Sequence, residues 1–322
     1  MKQINSVNEL VTDYVQQRNY RVSTIITAFD RADYLYYAIE SALSQSYPPE
    51  EIIIVDDCSP TDLSKVVTAL EPVIRSQKYT GKIHYHRQPS NMGANAARNV
   101  GIKLSTGNWL AFLDDDDVWL PHKLFEQITQ LEIAKNNPPS RSNRSSQQNL
   151  VACLCSYRFL ETGETRNGPC AKFVNQQSLK LGNPYCGASG LFVKRSVIQK
   201  LQFDESLPCG QDWDMYVRLS QHGHIFYSDK ELFLYRRGSH ESLTTKAKNL
   251  SIDESENRLR SCYKHRSWLG ERYFKRRAAG QILSYVFHKK QTVSWILKSM
   301  KVAGFRATLN VLMRKISQRV FG

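Results

Sequence analysis

Asp114, Asp115, Asp116 and Asp117 follow one another directly after the apolar run Trp109-Leu110-Ala111-Phe112-Leu113. Four adjacent carboxylates repel one another severely unless a cation or a proton relieves them. Mg²⁺ prefers one or two carboxylates completed by phosphate oxygens, so this cluster suits a divalent ion that arrives with a diphosphate. An acidic helix start at Val118-Trp119-Leu120-Pro121 would account for Asp117, but not for all four.

The elements that must position these groups can be read from periodicity. Short β-branched runs at 22–27, 51–56, 82–86 and 108–113 alternate with helical patterns at 31–46, 61–77 and 94–104. That alternation predicts βαβ units and a largely parallel sheet. In such sheets ligands bind beyond the carboxyl ends of the strands, where Asp56-Asp57 and the four aspartates stand. The stretch 136–149 is polar and rich in Pro and Ser, which reads as a surface excursion. Strands are expected again at 150–157, 188–194, 224–228 and 232–235, with a helix at 211–221. The helix of 94–104 opens on Asn91-Met-Gly-Ala-Asn-Ala-Ala-Arg98-Asn99, whose Gly and Ala residues permit close packing on the sheet; Arg98 is placed to brace the carboxylates.

Composition fits a folded chain of two unequal parts: 322 residues, 41% hydrophobic and 23% charged. No apolar run reaches the roughly 18–20 residues that span a bilayer, and the first residues lack a signal-peptide core, so a cytoplasmic setting is expected. The seven cysteines show neither zinc-ligand spacing nor a disulfide framework.

The formal charge of +14 is confined to one end. From residue 242 onward there are 18 Lys and Arg against 4 Asp and Glu, while 1–241 hold 26 of each and sum to zero. In the tail Phe305, Leu309, Leu312, Ile316 and Val320 recur at helical spacing, with Arg314, Lys315 and Arg319 around them. Two readings fit: the stripe packs on the preceding domain, or the helix lies on an anionic bilayer with its cations toward headgroups.

Five pieces occur in order: TIITAFDRADYL (24–35), IIIVDDCS (52–59), NMGANAARNVGI (91–102), WLAFLDDDDVWLPHKL (109–124) and GQDWDMYVRL (210–219). Together they closely resemble family two glycosyltransferases with the GT-A fold, across about 20–245. The resemblance implies an α/β domain over 1–245 with a mostly parallel central sheet flanked by helices. Its nucleotide-sugar half would be about 20–135 and its acceptor half about 150–245, with a basic helical extension over 246–322.

It further implies an inverting, metal-dependent transfer of a hexosyl group from a nucleotide diphosphate donor, UDP-sugar favoured, to an acceptor hydroxyl in cell-surface polysaccharide or glycolipid synthesis. Thr27, Phe29 and Arg31 match positions that line the nucleotide, and Asp57 the carboxylate that accepts from a uracil-like N–H. Asp114 and Asp115 match donor-binding positions, and Asp116 the principal ligand of Mn²⁺ or Mg²⁺, with His240 completing the metal or diphosphate site. Asp212 matches the aspartate that deprotonates the acceptor; a simple helix cap is its bland alternative.

Two departures stand out: Gln211 replaces a glutamate, and Cys58 stands where Gly is common. The implied partners are the donor, a glycan or lipid-linked acceptor, and a bilayer met peripherally at its inner face through the C-terminal helices. Nucleic acid is not expected, since a nucleic-acid binder leaves the acidic cluster unexplained. An inactive nucleotide-sugar binder is the remaining alternative, and the sequence sets no oligomeric state.

Overall fold

The computed structural model describes residues 20–136, 149–166, 168–237, 251–252, 254–288 and 291–320. Most of the polar stretch 136–149, and His240, lie outside the described residues. Eight strands form one sheet: β1 (Val22–Ala28), β2 (Glu51–Asp56), β3 (Lys82–Arg87), β4 (Trp109–Asp114), β5 (Val118–Trp119), β6 (Leu150–Phe159), β7 (Phe192–Lys194) and β8 (His224–Tyr235). The helices are α1 (Ala32–Leu43), α2 (Ser64–Ala69), α3 (Glu71–Ser76), α4 (Ala94–Leu104), α5 (Lys123–Asn136), α6 (Gln176–Leu181), α7 (Arg195–Leu201), α8 (Gln211–Leu219), α9 (Ser255–Lys264), α10 (Arg266–Ile282), α11 (Thr292–Ala303) and α12 (Phe305–Val320).

The chain divides into two compact units. The first draws its described residues from Met1–Val174, Pro184–Phe203 and Arg218–Arg236, and it holds the whole sheet. Strand order is β3-β2-β1-β4-β7-β6-β8-β5. β1, β2, β3 and β4 are mutually parallel, β7 runs against both its neighbours, and β6 and β8 are parallel again, so the expected α/β sheet is present and mostly parallel.

β1 and β2 are buried along their whole length, which is why they read as continuous apolar runs rather than alternating ones. β3 is one edge, and its Lys82, His84, His86 and Arg87 discourage pairing with another chain. α4 packs tightly on the sheet: Ile53, Val55 and Ala97 form one buried cluster with Val100 against it. The glycine that allows this approach is Gly101, where an added Cβ would lie 2.4 Å from Ile25 Cγ2.

Several elements differ in detail from the periodicity reading. The helix expected over 61–77 is two short helices meeting at Leu70, with Pro72 at the start of the second. The strand expected from 188 is a 3₁₀ turn, Ala188–Gly190, before β7. The two closing strands are one strand, β8, whose register on β6 shifts between Ser228 and Glu231 around exposed Asp229 and Lys230. The helix start proposed at 118 is also corrected: Val118 and Trp119 pair with Leu234 and Phe233 as β5, and α5 begins only at Lys123.

The second unit draws on Asn175–Asn183, Asp204–Val217 and Arg237–Gly322. Its described residues are helical or loop. Trp213 anchors it: its indole N–H donates to the Leu179 carbonyl at 2.7 Å, and the Arg277 guanidinium sits 3.7 Å from its ring centroid.

Lys123 in the first unit is fully buried, and its Nζ has no hydrogen-bond partner. It lies 3.8 Å from the Trp119 ring centroid, and burial pushes it down to about 8. Near neutral pH the folded state must therefore hold a charge it disfavours. Lys123→Met keeps the length without the charge and is expected to raise stability by about 1–3 kcal/mol at pH 7, the cation–π contact offsetting part of the gain. The unfolded lysine titrates near 10.4, so the advantage should shrink as pH rises from about 8 toward that value. Urea unfolding of both proteins at pH 7 and pH 10 measures it; equal midpoints at pH 7 would mean the charge is well solvated.

Candidate active site

Leaving β1, the chain builds β2 and β3 on one side and then crosses to place β4 on the other. The order reverses between β1 and β4, and the crevice beyond their carboxyl ends is where a ligand fits such a sheet. Register brings Thr27 opposite Asp114 there.

The four aspartates form a turn in which alternate members face opposite ways. Asp115 and Asp117 are buried, whereas the side chains of Asp114 and Asp116 are 31% and 18% exposed. Each is held by a fixed donor, and Arg31 and Ser189 each serve two of the four. Asp114 receives Arg98 Nη2 at 2.6 Å and, more weakly, Thr27 Oγ1 at 3.4 Å. Asp115 accepts from the Phe29 backbone N–H at 2.9 Å and from Arg31 Nη1 at 2.8 Å, and the same Arg31 nitrogen reaches Asp116 at 3.0 Å.

Asp117 accepts from Ser189 Oγ at 2.6 Å and from the Arg236 backbone N–H at 3.1 Å. Ser189 Oγ in turn accepts from the Asp114 backbone N–H, so one hydroxyl ties both ends of the turn together. Arg236 closes the far side, with Nε on the Asp116 carbonyl at 3.1 Å and its guanidinium 4.1 Å from the Tyr34 ring centroid.

The charges are under-compensated. Burial pushes Asp115 up to about 7; Arg31 pulls against the rise and Asp116 adds to it. Asp117 is raised well above the carboxylate range by burial, then by Asp116 and Asp114. Burial works against the Arg31 charge, but Asp115 and Asp116 outweigh it and hold the guanidinium above its ordinary value. The turn therefore retains an unmet demand for positive charge, and its outward carboxylates are hard oxygen donors of the kind Mg²⁺ and Mn²⁺ take. Among the described residues, no three His, Cys, Asp or Glu side chains form a ready-made metal cage.

Beside this turn, Phe29 is 42% exposed. Asp57 is buried after β2 and accepts from Gln88 Nε2 at 2.5 Å and from the backbone N–H groups of Met92 at 2.8 Å and Gly93 at 2.7 Å. Three of about four carboxylate acceptor positions are filled, which leaves room for one more donor. Gly93 takes a positive φ of 88° to present its N–H, so this glycine serves the loop and not helix packing. Asp56 is a structural partner: burial opposes its charge, but Ser59, Tyr85 and Arg87 hold it below the usual carboxylate range.

In the second unit Asp212 and Asp214 have separate surroundings. Both lie in the first turn of α8, and Asp212 is half-buried. Asp214 is fully buried and meets His265 Nε2 at 2.7 Å and Lys264 Nζ at 2.8 Å, so it fastens α8 to α9 and to the residue that caps α10. Since α8 begins at Gln211, Asp212 is not its N-cap.

The sequence profile of glycosyl transferase family 2 matches residues 23–202, which include Thr27, Phe29, Arg31, Asp57 and all four aspartates of the turn. The chain belongs to glycosyl transferase family 2. Among relatives, the UDP-Glc:alpha-D-GlcNAc-diphosphoundecaprenol beta-1,3-glucosyltransferase WfaP of Escherichia coli is 39% identical over 114 residues, 35% of this chain and 42% of WfaP. The chain spans 28 to 65% of the length of the first curated relatives it matches.

Two solved structures share the fold at low identity. S. aureus TarS 1–349 with UDP-GlcNAc has a TM-score of 0.55 at 16% identity, covering 92% of this chain and 73% of that one. The mannosyltransferase PcManGT of Pyrobaculum calidifontis, with GDP-Man and Mn²⁺, has a TM-score of 0.55 at 11% identity, covering 97% and 89%. These likenesses carry the GT-A fold and nothing finer.

Within this family 2 crevice the structure brings together Thr27, Phe29, Arg31, Asp114, Asp115 and Asp116, with Asp57 at the neighbouring strand end. Asp212 belongs to the second unit, and His240 lies outside the described residues. Ser189 was not singled out from sequence. A serine in an apolar stretch carries no signal of its own, and only the pairing of β7 with β4 brings its neighbourhood to the aspartates.

Cys58, where Gly is common in the family, adopts a left-handed φ of 61°. An L-residue with a side chain pays roughly 1–2 kcal/mol there, whereas glycine does not. Cys58→Gly is expected to stabilise the fold by about 0.5–1 kcal/mol after glycine's added unfolded-state entropy. Thermal unfolding checks this, and a lowered midpoint would show that the thiol contacts to Pro89 and Arg87 matter more than the strain.

Proposed function

We propose that this protein is an inverting, metal-dependent glycosyltransferase that moves a sugar from a nucleotide diphosphate donor, UDP-sugar favoured, to an acceptor hydroxyl in bacterial surface polysaccharide or glycolipid synthesis. The observation that carries the reading is the under-compensated aspartate turn at the strand crossover, facing Thr27 and Phe29.

In this reading Phe29 stacks on the base and Asp57 accepts an imide N–H through its remaining acceptor position. Asp114 and Asp115 bind the donor while Arg31 spaces the carboxylates. Asp116, partly exposed and flanked by buried Asp115 and Asp117, holds the cation, with His240 as a second ligand. When bound, Mn²⁺ or Mg²⁺ would stabilise the charge gathering on the departing diphosphate. Asp212 takes the acceptor's proton as its oxygen bonds to the anomeric carbon on the face opposite the breaking C–O bond; the diphosphate leaves with that bond's electrons. The names of relatives support the donor class and a lipid-linked acceptor: WfaP is named for both, and TarS is seen with UDP-GlcNAc. A cytoplasmic setting at the inner membrane face suits seven cysteines that are all unpaired.

A donor screen measuring nucleotide release across UDP-, GDP- and dTDP-sugars, with Mn²⁺ or Mg²⁺, tests the class directly. Asp116→Ala is expected to abolish metal-dependent donor binding in calorimetry while the protein stays folded, since the turn loses repulsion together with its ligand. Unchanged affinity would move the metal elsewhere.

Asp212 and Asp214 should separate cleanly. Asp212→Asn is expected to keep donor binding and lower transfer by roughly 10²–10⁴-fold, the loss typical of a positioned base. Asp214→Asn removes the carboxylate partner of the buried His265, while exposed Lys264 keeps Asp204, so its main effect should be a stability loss of about 1–3 kcal/mol in urea unfolding. A stable Asp214 variant without activity, beside an active Asp212 variant, would reverse the two roles.

A further inference from the structure

The second unit carries a strongly basic surface. Between Arg272 and Gly322 there are 12 Lys and Arg and no Asp or Glu. Where α10 meets α12, a groove of about 870 Å³ is lined by Arg272, Lys275, Arg276, Arg306 and Arg314, with Phe305 at its rim. Lys275 has a distant partner, Glu271 at 3.8 Å, whereas the four arginines make no hydrogen bond or ion pair with any described residue. Crowded cations without counter-charges raise local potential and call for an anion from outside.

An exposed apolar strip runs beside the groove. Taking 100° per residue from Phe305, Ile316, Leu309 and Met313 fall within an arc of about 80°, and Arg306 and Arg314 within roughly the next 100°. All four apolar side chains are 41–62% exposed in the folded chain, so the strip does not pack on the protein. The opposite side of α12 is the one that packs: Thr308 and Val311 are buried, and Thr308 bonds Ser299 of α11 at 2.9 Å. Val293 and Leu297 on α11 are exposed as well.

We propose that this face docks on an anionic bilayer, with α12 lying in the interface. Phe305, Leu309, Met313 and Ile316 enter the acyl boundary, and Arg272, Arg276, Arg306 and Arg314 receive lipid phosphate groups. Charge and apolarity select this occupant together. A second copy would bring another +14 of like charge. A nucleic-acid backbone would pair with the arginines but leave the apolar strip in water, whereas a membrane surface satisfies both. The proposal is independent of the sugar-transfer reading.

Co-sedimentation of the full chain with phosphatidylcholine vesicles, with and without phosphatidylglycerol, tests it. Binding is expected only with the anionic lipid and to weaken steeply between 0.1 and 0.5 M salt, the test concentrations of roughly a Debye length of 10 Å and under half that. Changing all four arginines to Gln should reduce vesicle affinity by about 10²–10³-fold. The matching Arg→Lys set should retain most of it, which separates lost charge from misfolding. Phe305→Ser with Met313→Ser should also lower vesicle affinity while leaving the thermal unfolding midpoint unchanged, because both side chains are already exposed. Equal binding to neutral vesicles, full binding by the serine variant, or loss in the Lys set equal to that in the Gln set would each overturn the proposal. So would pyrophosphate at micromolar concentration displacing the protein from vesicles, which would mark a site for a free phosphate instead.

Discussion

Four carboxylates must share one turn at the end of β4, and much of the first unit is arranged around that constraint. Burial alone would neutralise Asp115 and Asp117, and mutual repulsion would splay the turn. The protein answers with fixed donors from distant segments: Arg31 after β1, Arg98 on α4, Ser189 before β7 and the Arg236 backbone after β8. These ties overdetermine the backbone but stop short of full neutralisation. In the proposed sugar transfer a cation arriving with a diphosphate would meet the remaining demand, so that fold and reaction would draw on the same few residues.

The same economy appears in how acidic residues are sorted. Asp56 and Asp214 are as buried as any carboxylate in the chain, and each is satisfied by built-in partners, so their work is architectural. Asp57 is intermediate, with three donors fixing a loop and one acceptor direction left open. Asp114 and Asp116 keep their carboxylates partly in solvent. Exposure and satisfaction, more than residue type, divide groups that hold the crevice from groups able to meet a ligand.

The helical unit solves a different electrostatic problem. Arg272, Arg276, Arg306 and Arg314 pair with no described residue, and α12 buries Thr308 and Val311 while leaving Phe305, Leu309, Met313 and Ile316 in water. Both features cost stability in isolation, and both are relieved by a surface that is anionic and apolar at once.

By itself the sequence determined the parallel βαβ half, because strands buried on both faces require unbroken apolar runs that leave a clear signature. It also determined the family, through motifs whose residues sit at strand ends, and the placement of positive charge in the last quarter. Boundaries with weak local signal were decided by tertiary structure. Val118-Trp119 has the pattern of a helix start but becomes a strand because β8 offers it partners, and residues 224–235 form one strand because β6 absorbs the polar break as a shift of register. The roles of Gly93 and Gly101 could be told apart only by backbone angle and by distance to Ile25, and those of Asp212 and Asp214 only by burial. Pattern along the chain reports which face an element buries, whereas the partner a residue meets depends on distant segments, 84 residues away for Arg31 and Asp115 and 119 for Asp117 and Arg236.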